Sequence, residues 1–173
     1  RNVRTTFNSI TVDSDTSTSD TVLLCATGAT KSSSPTSAND PLLKAFEGAL
    51  NEVMLDLAKQ IVRDGEGAQK LIQIDVEGAI SKQSARQIGL SIANSPLVKT
   101  AVAGGDANWG RIVMAVGKSA ETADRDKMSV SFGGIKIAEN GSVVENYDET
   151  PVAKHLLSRE IHIRVDVGVG SSN

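Results

Sequence analysis

The sequence is poor in cysteine, in aromatic residues and in long apolar runs. Its 173 residues contain one cysteine, Cys25, so no disulfide can form within the chain. Because Cys25 lies in the apolar run 22–26, a buried thiol in a reducing, cytoplasmic compartment is predicted. Aromatic residues make up 3%, too few for the base-stacking surface of single-strand binders. No apolar run approaches the roughly 18 residues of a membrane span, and no apolar signal segment follows the N-terminus.

The chain also lacks a strong charge of either sign. It carries 18 basic and 21 acidic residues, a net charge of −3, and the two signs are interspersed. This balance predicts no nucleic-acid partner and no anionic membrane partner. With 39% apolar residues the chain can bury a sizeable core, as one large domain or two small ones.

The N-terminal part predicts two strands and an exposed loop. Residues 7–12 alternate between apolar and polar side chains, and residues 21–26 form the short apolar run of a buried strand. The acidic and hydroxylated residues between them predict a polar turn. The segment 28–39 is rich in Ser, Thr, Gly and Pro without periodicity, which predicts a loop on the surface.

A long amphipathic helix is predicted next. Asn39 or Asp40 can cap its N-terminus, Pro41 lies just inside, and the helix is expected to end before Gly65. Its apolar stripe consists of Leu42, Phe46, Leu50, Val53, Leu57 and Ile61.

From residue 70 the pattern becomes one of alternating strands and helices. Strands are predicted at 71–76, 128–132, 135–138 and from 161, and helices at 81–94, 111–116 and 149–157. The pair Asn140-Gly141 is better explained as a hairpin turn than as a glycosylation site. The alternation predicts an α/β or α+β fold with two parts, residues 1–65 and residues 66–173.

Two familiar motifs are incomplete or absent in this sequence. Gly105 to Gly110 has the spacing of a phosphate loop, but Arg111 and Ile112 stand where Lys and Ser or Thr are required. A turn that packs the single tryptophan, Trp109, against the following helix is the better interpretation. No G-x-S-x-G elbow of a serine hydrolase is present.

Metal binding is equally poorly supported. The run that begins at Asp13 resembles a calcium loop, but Thr18 replaces the sixth-position glycine and Leu24 the twelfth-position acid. His155 and His162 have no Cys, His or acid at ligand spacing, so both are predicted to be structural or surface residues. No metal site is expected.

Glu66 is the one candidate substrate ligand. It lies between Gly65 and Gly67 just past the long helix, where little steric bulk prevents a small ligand from approaching its carboxylate. A carboxylate there suits an amine. The alternative, a solvated acid in a helix-terminating turn, stays open on spacing alone.

Four segments together resemble the ornithine acetyltransferase (glutamate N-acetyltransferase) family of arginine biosynthesis. They are 13–21, Arg-Asp-Gly-Glu-Gly-Ala at 63–68, Gly-Asp-Ala-Asn-Trp-Gly-Arg-Ile at 105–112 and Ser-Phe-Gly-Gly at 131–134. The resemblance runs in order from Phe7 to about Val167. It implies that Glu66 holds the amino-acid substrate.

The resemblance further implies a precursor that cuts itself before a threonine into an α and a β chain, this chain matching the β side. The freed threonine would be the nucleophile, with its own amine as the base. That threonine would precede Arg1, and a C-terminal tail with an Asn and a Ser or Thr would follow Asn173, so no catalytic residue is assigned here. The reaction that the resemblance implies is ping-pong: N-acetylornithine would donate the acetyl group and glutamate would accept it.

The implied fold is a four-layer α/β/β/α sandwich shared between the chains, with a smaller C-terminal α/β domain. An α₂β₂ assembly is expected, with no resident cofactor and with acetyl-coenzyme A as an additional donor in some members. Two alternatives stay open. One is a self-processing aminopeptidase of the same fold group. The other is a non-catalytic interaction module, since the isolated chain is predicted to be inactive.

Overall fold

The computed structural model describes residues 1–17, 19–30 and 33–173. These residues form two compact units, Arg1–Ile61 and Val62–Asn173. We predict a different, functional division: residues 1–65 contribute to the catalytic sandwich, and residues 66–173 form a C-terminal domain. That division stays a prediction.

The first unit is built on one long helix. A short helix α1 (Asn2–Thr5) and a 3-10 helix η1 (Phe7–Ser9) precede the 21-residue helix α2 (Leu43–Arg63). The side-chain amide of Asn2 donates to the carbonyl oxygen of Glu47 at 2.9 Å, and the Thr5 hydroxyl donates to Asn51 Oδ1 at 3.3 Å. These bonds attach the N-terminal turn to α2.

The strands predicted at 7–12 and 21–26 are wrong. Residues 7–9 form η1, and the described residues from 10 to 30 contain neither helix nor strand. A strand needs a neighbour for its N–H and C=O groups, and within the described residues every strand belongs to the second unit. Leu23 is 82% exposed, and Cys25 is exposed, against the predicted buried thiol.

Helix α2 confirms the predicted helix, and most of its apolar stripe is exposed. Asp40 Oδ1 accepts from the Leu42 amide at 3.0 Å just before the helix begins, and the helix ends at Arg63, before Gly65. Within the helix only Met54 and Ala58 are buried. Five of the six stripe residues are exposed: Leu42, Phe46, Val53, Leu57 and Ile61. The exposed loop predicted at 28–39 is confirmed for its described residues; Lys31 and Ser32 lie outside them.

The second unit contains a five-stranded mixed sheet in the order β1-β5-β2-β3-β4. Its strands are β1 (Leu71–Glu77), β2 (Ser129–Phe132), β3 (Ile135–Glu139), β4 (Ser142–Val143) and β5 (Glu160–Asp166). Strands β1 and β5 are parallel, and the remaining pairs are antiparallel. All four predicted strands of this unit are confirmed.

Two hairpin turns of the sheet depend on left-handed backbone. Gly133 and Gly134 have φ of +56° and +81° between β2 and β3, and Asn140 and Gly141 have φ of +49° and +70° between β3 and β4. Positive φ at both central residues matches the twist of a two-residue hairpin, and Gly and Asn tolerate it best. The hairpin predicted from Asn140-Gly141 is confirmed.

Four helices accompany the sheet: α3 (Lys82–Ala93), α4 (Pro96–Ala103), α5 (Trp109–Gly117) and α6 (Thr150–Leu156). Ser81, Ser95 and Asn108 cap α3, α4 and α5 by accepting a backbone amide with their side chains. Helix α3 contacts β1, and α5 packs against α3 and α4. A 3-10 turn, η2 (Arg125–Lys127), leads into β2.

One face of the sheet is buried and the other is polar. Along β5, Ile161, Ile163 and Val165 are buried and alternate with His162, Arg164 and Asp166. The buried residues join Phe132 and the inner faces of the helices in one core. The mixed α/β fold is confirmed, while the four-layer sandwich stays a prediction.

Candidate functional site

Glu66 occupies the corner of a tight turn. The Ala68 amide donates to the Gly65 carbonyl at 2.9 Å, and Gly67, the third residue of the turn, has a φ of +69°. This is the pattern of a type II turn, in which the third position favours glycine and the second projects its side chain outward. Glu66 is exposed, and no partner is found for its carboxylate among the described residues.

Lys70 anchors the segment that carries this turn. Its Nζ donates to the carbonyl oxygens of Val102 and Leu156, both at 2.7 Å. Val102 lies in the last turn of α4 and Leu156 is the last residue of α6, where helix carbonyls lack intrahelical partners and the dipole favours a cation. The part-buried ammonium thus ties the start of β1 to two helix ends.

A cleft of about 340 Å³ lies beside this segment. It lies within the second unit and is lined by Arg63, by residues 68–71 and by Arg159 and Glu160. Three basic side chains line it, Arg63, Lys70 and Arg159, against one acid, Glu160. Arg63 Nη2 donates to Glu160 Oε1 at 2.7 Å, so two of the charged lining residues are paired with each other.

The tryptophan motif has a structural role, as predicted. Asn108 Oδ1 accepts from the Arg111 amide at 3.1 Å, and Arg111 Nη1 donates to the Leu97 carbonyl at 2.7 Å and to Thr100 Oγ1 at 3.0 Å. Trp109 is partly buried against the core. The motif therefore caps α5 and fastens it to α4.

The two histidines belong to a network that sequence spacing did not indicate. His162 Nε2 lies 2.6 Å from Asp75 Oδ2, and the His162 amide donates to His155 Nε2 at 3.1 Å. Asp75 is 87 residues from His162 in the chain, but it stands on β1 across from Arg164 of β5. Only the strand register, absent from the sequence, brings the pair together.

No metal site is found in the parts of the chain that the structure describes, where no three His, Cys, Asp or Glu side chains group to hold an ion. The Asp13 run forms a polar turn, in which Asp13 Oδ1 accepts from the Asp15 amide at 2.9 Å. Thr18, which argued against a calcium loop, lies outside the described residues.

The structure thus places the predicted ligand Glu66 in an exposed turn and adds neighbours that the sequence did not single out. Lys70 and Arg159 carry no motif, because an isolated basic residue before a strand resembles any solvated charge.

Among the described residues, no helix is long and apolar enough to cross a membrane.

Comparison with known proteins gives a consistent result. The model of the ArgJ family matches residues 1–173. The chain is 60% identical over 164 residues to the arginine biosynthesis bifunctional protein ArgJ of Gluconobacter oxydans, covering 95% of this chain and 39% of that protein. It is 57% identical over 171 residues to the same-named protein of Bradyrhizobium diazoefficiens, covering 97% of this chain and 41% of that protein.

A crystal structure of the arginine biosynthesis bifunctional protein ArgJ from Bacillus halodurans is also similar, with a TM-score of 0.93 and 37% sequence identity. The match covers 99% of this chain and 80% of that chain. This chain therefore spans about two-fifths of the length of the curated relatives that it matches.

Proposed function

Because this chain belongs to the ArgJ family, we propose that it is the β-chain portion of an acetyltransferase of arginine biosynthesis. The complete enzyme moves an acetyl group from N-acetylornithine to glutamate. The observation that carries the substrate assignment is Glu66, an unpaired carboxylate at the corner of a glycine turn beside a cleft. Such a group suits the side-chain ammonium of ornithine.

The proposed reaction has two half-reactions. In the first, a threonine outside this chain loses its hydroxyl proton to a base and attacks the acetyl carbonyl of N-acetylornithine. The ester bond forms, the C–N bond breaks, and ornithine leaves with the proton on its nitrogen. In the second, the neutral amine of glutamate attacks the ester. N-acetylglutamate leaves and the threonine regains its proton.

The proposed partner is an α chain from the same precursor, in an α₂β₂ assembly in the cytoplasm. The exposed stripe of α2 and the exposed residues 22–24 support a partner, because contiguous apolar surface of this kind marks an interaction site. The chain alone is expected to be inactive and poorly soluble. Acetyl-coenzyme A is proposed as a possible additional donor, and no resident cofactor is proposed.

The test is Glu66→Gln in the complete two-chain enzyme. The amide keeps the shape of the side chain but removes its charge, and a hydrogen bond between charged groups is worth roughly 1.5 to 3 kcal/mol. We expect kcat/KM for N-acetylornithine to fall by about 10 to 150-fold. Self-cleavage, followed on a gel, should be unchanged.

The matched control is Glu145→Gln. Glu145 is also an exposed glutamate in a turn, but it follows β4, at the other edge of the sheet from β1. Its substitution should leave kinetics unchanged. Normal kinetics in the Glu66 variant would make Glu66 a solvated acid of the turn, and loss of cleavage or folding would give it a structural role.

A further inference from the structure

The basic cleft beside Glu66 is lined by one arginine, Arg159, whose guanidinium has no charged partner among the described residues. Lys70 is committed to two helix-end carbonyls, and Arg63 is paired with Glu160. Arg159 lines the same cleft and is exposed, and its guanidinium has no hydrogen bond or ion pair with any described residue. The cleft therefore offers one open guanidinium.

Glu66 is close along the chain to the cleft that Arg159 lines. Ala68 lines the cleft and is two residues from Glu66 in the chain, and two residues span at most about 7 Å. An amino acid bound at the turn would then have the cleft beside it. A guanidinium binds a carboxylate through two parallel hydrogen bonds, which suits it to an acidic side chain.

The two amino acids of the proposed reaction have opposite charges at the ends of their side chains. Ornithine ends in an ammonium group and glutamate in a carboxylate, while both carry the same α-carboxylate. A site that presented Glu66 alone would attract ornithine and repel the side chain of glutamate, since like charges at close range are unfavourable. A site that serves both in turn needs a cation near Glu66.

We propose that Arg159 binds the side-chain carboxylate of glutamate, so that Arg159 and Glu66 each recognise one of the two substrates that alternate in the site. This inference rests on the proposed acetyl transfer. It makes Arg159 a residue that determines acceptor specificity. The two other cations of the cleft already have partners, Arg63 with Glu160 and Lys70 with two helix-end carbonyls.

The test is Arg159→Gln in the complete two-chain enzyme, with kcat/KM measured separately for N-acetylornithine and for glutamate. We expect the value for glutamate to fall by about 10 to 150-fold, the cost of one hydrogen-bonded charge pair, and that for N-acetylornithine to change less than about twofold. Glu66→Gln should give the reciprocal pattern. Arg159→Lys, which keeps the charge but loses the paired geometry, should be intermediate.

Arg125→Gln is the matched control. Arg125 is exposed and paired only with its neighbour Asp126. Arg125 lies just before β2, and the first residue of β2 pairs with Asp166 at the end of β5. Arg159 lies just before the start of β5, so the two arginines lie near opposite ends of that strand. This variant should transfer acetyl groups normally.

The outcomes separate this inference from the function beneath it. An unchanged kcat/KM for glutamate in the Arg159 variant, or an equal loss for both substrates, would overturn the role of Arg159 while leaving acetyl transfer intact. A wild-type enzyme that moves no acetyl group from N-acetylornithine would overturn both. A shift of acceptor preference from glutamate towards glutamine in Arg159→Gln would support the proposal directly.

Discussion

The two units of the chain treat apolar side chains in opposite ways. In the second unit, Phe132 is 1% exposed and Ile163 is fully buried within a core built from the sheet and its helices. In the first unit, Phe46 is 56% exposed and Leu23 is 82% exposed. The residue types are the same, so the difference lies in whether the unit contains the elements that can cover them.

This contrast indicates that the second unit covers most of its own apolar side chains, although Leu157 is 83% exposed, whereas the first covers few of them. The sheet of the second unit pairs five strands and covers one face with helices. The first unit has one long helix and no strand within its described residues. Apolar surface removed from water contributes about 25 cal/mol per Å², a gain that the first unit leaves largely unrealised.

Limited proteolysis with a nonspecific protease should give the largest difference between the units. Residues 19–30 are exposed and contain neither helix nor strand, so they need almost no opening to fit a protease, whereas the strands of the second unit require unfolding that costs about 5 to 15 kcal/mol. We therefore expect first cuts between residues 13 and 40, more than about a thousandfold faster than cuts within 71–167.

Mass spectrometry of the fragments over time checks this expectation. A resistant fragment that contains the whole sheet should accumulate. If the first cuts fell within β1 to β5 while residues 13–40 stayed intact, the contrast between the units would be wrong.

Replacing one phenylalanine in each unit by alanine gives a second, smaller difference. Phe132→Ala removes a buried ring from the core and should lower the free energy of unfolding by about 3 to 5 kcal/mol. Phe46→Ala removes an exposed ring from α2 and should change the free energy of unfolding of the isolated chain by less than about 0.5 kcal/mol. Urea unfolding followed by circular dichroism measures both.

The same pair sharpens the comparison in the complete two-chain protein. If an α chain covers the stripe of α2, Phe46→Ala should there become costly while Phe132→Ala keeps its effect. Equal losses for the two variants in the isolated chain would show that the stripe is already covered within this chain.

The success of sequence prediction follows the same division. Strand β5 and helix α3 were predictable because their periodic apolar residues meet partners within the same unit. Residues 21–26 have the composition of a strand but not the neighbour, and a pattern cannot report which elements another chain supplies. The turn at Glu66 was predictable from its two glycines. The position of Arg159 beside the start of β1 was not, because it depends on the parallel pairing of β1 with β5.

The smallest expected difference is in stability at acid pH. It involves two aspartates, Asp148 in the second unit and Asp40 in the first. The Thr150 amide donates to Asp148 Oδ1 at 2.9 Å at the start of α6, and this bond lowers the pKa of Asp148. The amides of Thr36 and Leu42 likewise lower the pKa of Asp40, just before α2. A lowered pKa means that each carboxylate stabilises the folded state above the unfolded value of about 3.9, and that this contribution is lost as the pH falls through the folded value.

Trp109 is the single tryptophan and packs against the core of the second unit, so its fluorescence reports the unfolding of that unit. Asp148→Asn should lower the urea midpoint reported by Trp109 fluorescence at neutral pH, and its midpoint should converge with that of the wild type as the pH falls from about 3.9 through the lower, folded-state pKa of Asp148. Asp40→Asn should leave this signal unchanged at both pH values, since Asp40 lies in the first unit, just before α2. A shift of the Trp109 midpoint by Asp40→Asn as large as that by Asp148→Asn would mean that the two units unfold together.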